Sequence, residues 1–220
     1  MGDDLQTAAD ALLDAVERFD LEDLEREVQR LPSIASPLVV LERVIVPVLR
    51  TVGDRWFSGA MSVAQEHVLS QHVDGLMHEF LQLAAKGERT VIVACFDDEQ
   101  HHLGALAVAV HLASWGIRPA FFGARTPPAA LARGVDALRP DGVVLSITIT
   151  PSRERARELL EAYARACGET PWVVGGIGAA PIAELVRSAG GLYLSDVGAL
   201  ETWTRGKRSV STGFRTSESW

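Results

Sequence analysis

The stretch Arg89-Thr90-Val91-Ile92-Val93-Ala94-Cys95-Phe96-Asp97-Asp98-Glu99-Gln100-His101-His102-Leu103-Gly104 decides how the chain is read. Arg89 to Phe96 is an apolar, β-branched run of strand length, the pattern of a strand buried on both faces. An acidic loop breaks the run, and a helical segment follows near 101–115. The same alternation repeats downstream. Arg118 to Phe122, Gly142 to Ile147, Trp172 to Gly175 and Leu192 to Leu194 read as strands, separated by helices near 128–138, 152–167 and 181–189. Strands alternating with helices predict an α/β domain over residues 87–203, with a Rossmann-like (flavodoxin-like) doubly wound parallel sheet of five strands. In such sheets the ligand site lies at the carboxyl ends of the strands. His101, Thr126, Ser146, Thr148, Gly175 and Gly176 all fall at or just beyond such ends.

Upstream of this domain the texture is different. From Leu5 to about Ala85 the chain is rich in Leu, Ala, Val, Glu and Arg at helical spacing, without strand-like alternation. A first helix runs from about Asp4 to Arg18, with Leu5, Ala8, Ala9, Leu12, Leu13 and Val16 as its apolar stripe. A second spans about Leu21 to Leu31 and is expected to end before Pro32. Ser36-Pro37 opens a third, uninterrupted to about Trp56. Ser62, with Gln65 as capping-box partner, opens the fourth. Short connections between them predict an N-terminal four-helix bundle over residues 1–86.

The 220 residues, 47% of them hydrophobic, suffice for a sizeable core. No run of about 18 apolar residues occurs, and the acidic start, Met1-Gly2-Asp3-Asp4, is unlike a signal peptide, so a cytoplasmic, membrane-free protein is expected. Cys95 and Cys167 read as reduced thiols rather than a disulfide framework. A net charge of −8 argues against the whole surface being a nucleic-acid footprint. The segment 204–220 is Ser/Thr-rich and aperiodic, and Arg205, Lys207, Arg208 and Arg215 outweigh Glu218. It reads as a solvated flexible tail, with docking to an acidic partner or nucleic acid as the alternative.

The loop after the first strand carries chemistry. A carboxylate at Glu99, two residues before His101, can reach one ring nitrogen, fix the tautomer and raise the basicity of the nitrogen left to face a metal. Gly104 lets a bulky ligand approach the backbone. Spacing alone leaves open a plain loop-surface histidine among acidic neighbours. His102 reads as an exposed residue at the helix start. Gly176-Ile177-Gly178 falls short of a dinucleotide fingerprint because its sixth position is Pro181 and it follows a late strand.

Taken together, Glu99-x-His101-x-x-Gly104, Ser146-x-Thr148 and Gly175-Gly176 resemble the base-off, His-on cobalamin-binding domain over residues from about 88 to 200. The resemblance implies that His101 is the lower axial ligand of cobalt, replacing the cofactor's own dimethylbenzimidazole, and that Glu99 orients it. It further implies that Ser146 and Thr148 contact the displaced nucleotide tail and that Gly175 and Gly176 line its path. Methyltransferase members carry Asp where this chain has Glu99; the longer carboxylate is more like the photoreceptor branch.

The helical half holds a second constellation. Trp56 ends the third helix, and Glu66 and His67 lie in the first turns of the fourth, ten and eleven residues later. A core tryptophan and a dipole-serving Glu-His pair would look the same. The spacing resembles the cap of the CarH-type adenosylcobalamin photoreceptor regulators. That resemblance implies that Trp56 stacks beside the upper ligand, Glu66 hydrogen-bonds the ribose of a 5′-deoxyadenosyl group, and His67 lines the pocket. Adenosylcobalamin is the form so implied, with methyl- or hydroxocobalamin as alternatives.

Two departures from that family bear on function. The chain starts at the bundle, without the family's helix-turn-helix domain, so no direct DNA binding is expected. Phe57 stands where those photoreceptors carry a histidine able to take cobalt's upper face, and phenylalanine cannot ligate. The resemblance implies a cobalamin-dependent, light-responsive sensor acting through homo-oligomer change or a partner regulatory protein. The alternative is a corrinoid carrier moving methyl groups between methyltransferases. Neither reading makes the isolated chain an enzyme.

Overall fold

Leu5, Ala8, Leu12 and Val16, three or four residues apart, are the positions that a helix places on one face, and that face is buried. In the computed structural model, which describes residues 2–84 and 87–206, they belong to α1 (Gly2–Glu17). Asp20 caps α2 (Leu21–Ile34), its carboxylate accepting from the Asp23 amide at 3.0 Å. Contrary to the expected stop, α2 runs through Pro32. A proline in the last turn removes only one late backbone bond, and the fully buried Leu31 ahead of it holds the helical geometry.

The third helix is not the uninterrupted rod expected. It consists of α3 (Pro37–Val40), a π turn (Leu41–Ile45) and α4 (Val46–Phe57). Pro47 supplies the reason: in a regular α-helix its ring would press on the Arg43 carbonyl and leave that carbonyl without a donor. Widening the preceding turn, with the Val46 amide on the Leu41 carbonyl, relieves the crowding. The fourth rod, α5 (Val63–Leu83), opens on the predicted capping box: Ser62 Oγ accepts from the Gln65 amide at 3.3 Å and Gln65 Oε1 from the Ser62 amide at 2.8 Å. Gln65 Nε2 also donates to the carbonyls of Val16 and Glu17, so the cap ties α5 to the end of α1.

The strands are β1 (Thr90–Cys95), β2 (Arg118–Gly123), β3 (Gly142–Ser146), β4 (Trp172–Gly175) and β5 (Leu192–Tyr193), all parallel in the order β2-β1-β3-β4-β5. Between and after them come α6 (Leu103–Ser114), α7 (Pro128–Leu138), α8 (Arg153–Cys167), α9 (Ala183–Ser188) and α10 (Val197–Gly206). Alternation along β1 divides the two layers. Ile92 and Ala94 pack with Leu131, Leu160 and Tyr163 of α7 and α8, whereas Val91 and Val93 pack with Leu112 of α6 and Leu200 of α10. Leu106 and Val110 of α6 also belong to the bundle's core, so α6 joins the two halves.

Because β1 lies between β2 and β3, the chain leaves β1 and β3 in opposite directions, and the loops after them diverge around a crevice. The helix α10 was not anticipated; it runs on to Gly206, past the 203/204 boundary read from the sequence, and Arg89 donates to its Thr204 carbonyl at 2.9 Å. The remainder of the expected tail, 207–220, lies outside the described residues. Cys95 and Cys167 are free, and burial pushes both thiols up to about 12. No helix among the described residues is long and apolar enough to cross a membrane.

Candidate functional site

Glu99 organises the crevice. The turn from β1, with the Glu99 amide on the Phe96 carbonyl at 2.9 Å, directs its side chain inward, and the residue is only 4% exposed. Oε1 accepts from the His101 amide at 2.8 Å and meets His101 Nδ1 at 2.6 Å. Oε2 accepts from the amides of Thr148 at 2.7 Å and Ile149 at 2.9 Å. Burial alone would raise this carboxyl; the backbone amides and the imidazole outweigh it and hold Glu99 below the usual carboxylate range. An ionised Glu99 accepts only, so His101 Nδ1 carries a hydrogen, and in the neutral imidazole the lone pair is then on Nε2. With its side chain 58% exposed, His101 presents that nitrogen to the outside.

Around this dyad the predicted residues divide. Ser146 ends β3, buried, in register with Cys95 of β1 and Gly175 of β4. Thr148 is half-buried, and the bond that fixes it uses its backbone amide rather than the hydroxyl the sequence drew attention to. Gly104 faces open space: a methyl group there would meet no atom within 4 Å beyond its chain neighbours and the backbone of its own helix, so packing against the rest of the protein does not require a glycine. Gly176 differs. Its φ is +101°, and a Cβ would lie 2.2 Å from the Ile147 carbonyl oxygen, so glycine is demanded by the close approach of the loops after β3 and β4. Thr126 lies beside the end of β1: its amide donates to the Cys95 carbonyl at 3.4 Å, next to the Arg125 amide on the Glu99 carbonyl at 2.9 Å. It is buried, its hydroxyl donates to the Gly123 carbonyl at 3.2 Å and its own carbonyl accepts from Tyr163 Oη at 2.7 Å, so it ties the turn after β2 to the end of β1 and to α8.

The sequence singles out Gly178 only within the rejected dinucleotide fingerprint, yet a Cβ there would fall 2.7 Å from the Thr148 carbonyl oxygen. It assigns no role to Ile149 or Ile177, large apolar side chains left exposed at the carboxyl end of the sheet. Apolar residues inside strand-end loops were the available signal, since a soluble surface exposes such groups together mainly where something covers them. Behind the loop Arg155 of α8 binds Asp98 through Nε at 2.7 Å and Glu158 at 2.8 Å, and its hydrogen bond is the chief cause of the lowered Asp98 carboxyl.

The bundle brings its own groups. Trp56, at the end of α4, is half exposed, and Phe57 beside it is 90% exposed. Glu66 accepts from Ser70 Oγ at 2.6 Å through Oε1 and meets His67 Nδ1 at 2.6 Å through Oε2, leaving the exposed His67 with a free Nε2. The expectation that His102 is merely exposed is corrected. Its side chain is about one-third exposed, and Nε2 lies 2.6 Å from Asp74 Oδ1 of α5, in contact with the bundle. Among the described residues no group of three or more His, Cys, Asp or Glu side chains could enclose a metal ion. A single outward imidazole instead suits a metal whose other ligands come from its own organic framework.

Comparison with known proteins follows this division. Residues 89–201 match a family model described as B12 binding domain, and residues 8–94 match a second model of the same description. The HTH-type transcriptional repressor CarH of Myxococcus xanthus is 35% identical over 173 residues, covering 77% of this chain and 58% of its own length. The HTH-type transcriptional repressor CarA of the same organism is 34% identical over 152 residues, covering 68% and 51%. The chain thus spans about half the length of these curated relatives. The Methanosarcina barkeri monomethylamine corrinoid protein shares the fold, with a TM-score of 0.71 at 15% identity over 91% of this chain and 99% of that one.

Proposed function

The chain belongs to the B12 binding domain family, and from that premise we propose that it is a cobalamin-dependent sensor in which His101 takes the lower face of cobalt and the helical cap holds an adenosyl group on the upper face. The observation that carries this is the buried, saturated Glu99 carboxylate on His101 Nδ1, with Nε2 left outward. A histidine so held is a pre-oriented ligand, since its partner sets both tautomer and direction. The surroundings fit a large planar group: open space before Gly104, and exposed Ile149 and Ile177 at the rim. Bound adenosylcobalamin would supply a cobalt–carbon bond that light can cleave.

The chain's own residues divide the remaining work. Trp56 offers an aromatic face beside the upper ligand, and Glu66, held by Ser70, offers a carboxylate to the ribose hydroxyls. Loss of the adenosyl group would remove both sets of contacts, and a difference in contacts between two states is what drives a switch. The 35% identity to a transcriptional repressor favours regulation as the output, exerted through self-association or a partner protein rather than by catalysis.

The test is absorption spectroscopy of the purified protein with adenosylcobalamin, in darkness and after green light, for wild type and His101→Ala, with gel filtration of each state. The expected result is a base-off, His-on spectrum in wild type only, with light changing both spectrum and elution volume. A base-on spectrum shared by both proteins would overturn the lower-ligand assignment; an unchanged elution volume after full photolysis would overturn switching by self-association. Preferential uptake of methylcobalamin with cycling through Co(I) would favour a methyl carrier instead.

A further inference from the structure

Glu66, Ser70, Asp74 and His78 follow one another along α5 at intervals of four residues and so form one polar stripe. At one end Ser70 fixes Glu66. At the other, Asp74 leaves the bundle: Oδ1 meets His102 Nε2 at 2.6 Å, and Oδ2 lies 3.3 Å from His78 Nδ1. Phe121 of β2 closes the group, its ring centroid 5.7 Å from His78 and 6.4 Å from His102. His102 is the N-cap residue of α6, yet its side chain makes no capping bond. N-caps are ordinarily short acceptors that bond the first amides of their own helix. Here the side chain reaches across to the cap, while the preceding residue in the chain is His101.

We propose that Asp74 and His102 are positioning residues: their hydrogen bond sets the height and rotation of the cap, and so of Glu66 and Trp56, over His101. This rests on the cofactor reading above. A helix is stiff over this distance, the eight residues from Asp74 to Glu66 rising about 12 Å. A shift at Asp74 is therefore delivered to Glu66 almost undiminished. Apolar packing of Leu106 and Val110 into the bundle holds the halves together without the bond, but packed helices slide by small shear movements unless a directional contact fixes their register.

The experiment compares wild type with Asp74→Ala, His102→Ala and His102→Gln, the last keeping a donor near the position of Nε2. Without cofactor, hydrogen exchange at the start of α6 and in the middle of α5 is expected to quicken at least tenfold in both alanine variants and to return towards wild type in His102→Gln. With cofactor in darkness, the alanine variants are expected to keep the His-on spectrum while the preference for adenosyl- over methylcobalamin falls at least tenfold. Wild-type exchange rates in both alanine variants would overturn the joint, whatever the cofactor does. Altered exchange with an unchanged preference would overturn its control of the upper face. A wild type indifferent between the two cobalamins would instead overturn the adenosyl reading of Glu66, and the exchange data would then decide the joint alone.

Discussion

Glu99 Oε2 accepts the Thr148 amide at 2.7 Å, so the carboxylate that steers His101 also pins the loop after β3. One side chain therefore couples the two loops that diverge at the switch point. His101 cannot turn away without losing its bond to a carboxylate whose other oxygen the neighbouring loop holds.

Glu99→Gln should weaken cobalamin binding about 10–100-fold, the usual effect of removing a partner of a ligating histidine. A glutamine can satisfy the Thr148 and Ile149 amides with its oxygen, but it then turns an NH2 group towards two donors on His101. The imidazole is driven to the tautomer that carries its hydrogen on Nε2. Titration with hydroxocobalamin, followed by absorbance, measures the loss; wild-type affinity in the variant would contradict the tautomer argument.

Two glycine substitutions should separate folding from binding. Gly176→Ala is expected to destabilise the cofactor-free protein by about 1–3 kcal/mol, because a positive φ and a backbone clash fall on the same residue. Gly104→Ala should leave its stability unchanged or raise it by up to about 1 kcal/mol, since alanine is the better helix former. Its cost should appear in cobalamin affinity. Urea denaturation and a binding titration on the same samples give both quantities.

Stability of the cofactor-free protein should depend on pH through His111. This residue is buried on α6; burial lowers its pKa, and Glu42 and Glu201 offset the effect only in part. A folded-state pKa below the unfolded one means that the unfolded chain binds the extra proton first, so stability falls as pH drops below about 6.5 and goes on falling until the folded pKa is passed. His111→Gln should remove that slope and leave the carboxylate-driven loss at lower pH in place. Urea midpoints between pH 8 and 5, for both proteins, check it.

Trp56→Ala and Glu66→Gln should act on the cofactor rather than on the fold. Trp56 is half exposed and Glu66 lies in the first turn of α5, so unfolding midpoints should move little. The preference for adenosyl- over methylcobalamin should fall roughly tenfold for each, the weight of about one lost stacking or charged hydrogen-bond contact. Parallel dark titrations with the two cobalamins supply the ratio, and an unaltered ratio would remove both residues from the upper face.

Element types were legible wherever burial is uniform. β1 and β3 are covered on both sides and are therefore continuous apolar runs, and α1 buries one face and shows one stripe. The π turn was not legible, because its cause is the steric demand of Pro47 on a carbonyl one turn earlier rather than any periodicity. α10 escaped notice because its burial is confined to Leu200 and Thr204, too sparse for a stripe. His102 was misjudged for a related reason: its partner Asp74 is 28 residues away, on an element whose packing against α6 no local pattern records.

The sequence by itself determined the alternation of strands and helices, the capping of α5 and the pairing of Glu99 with His101, all of which act over a few residues of chain. Only the tertiary structure decided that Glu99 is anchored by amides 49 and 50 residues away, that Thr126 ties the turn after β2 to the end of β1, and that the second histidine of the pair bonds across to the bundle. Short-range steric and hydrogen-bond preferences are written in neighbouring residues. The partners of a buried carboxylate are set by which loops the packed sheet and helices bring together.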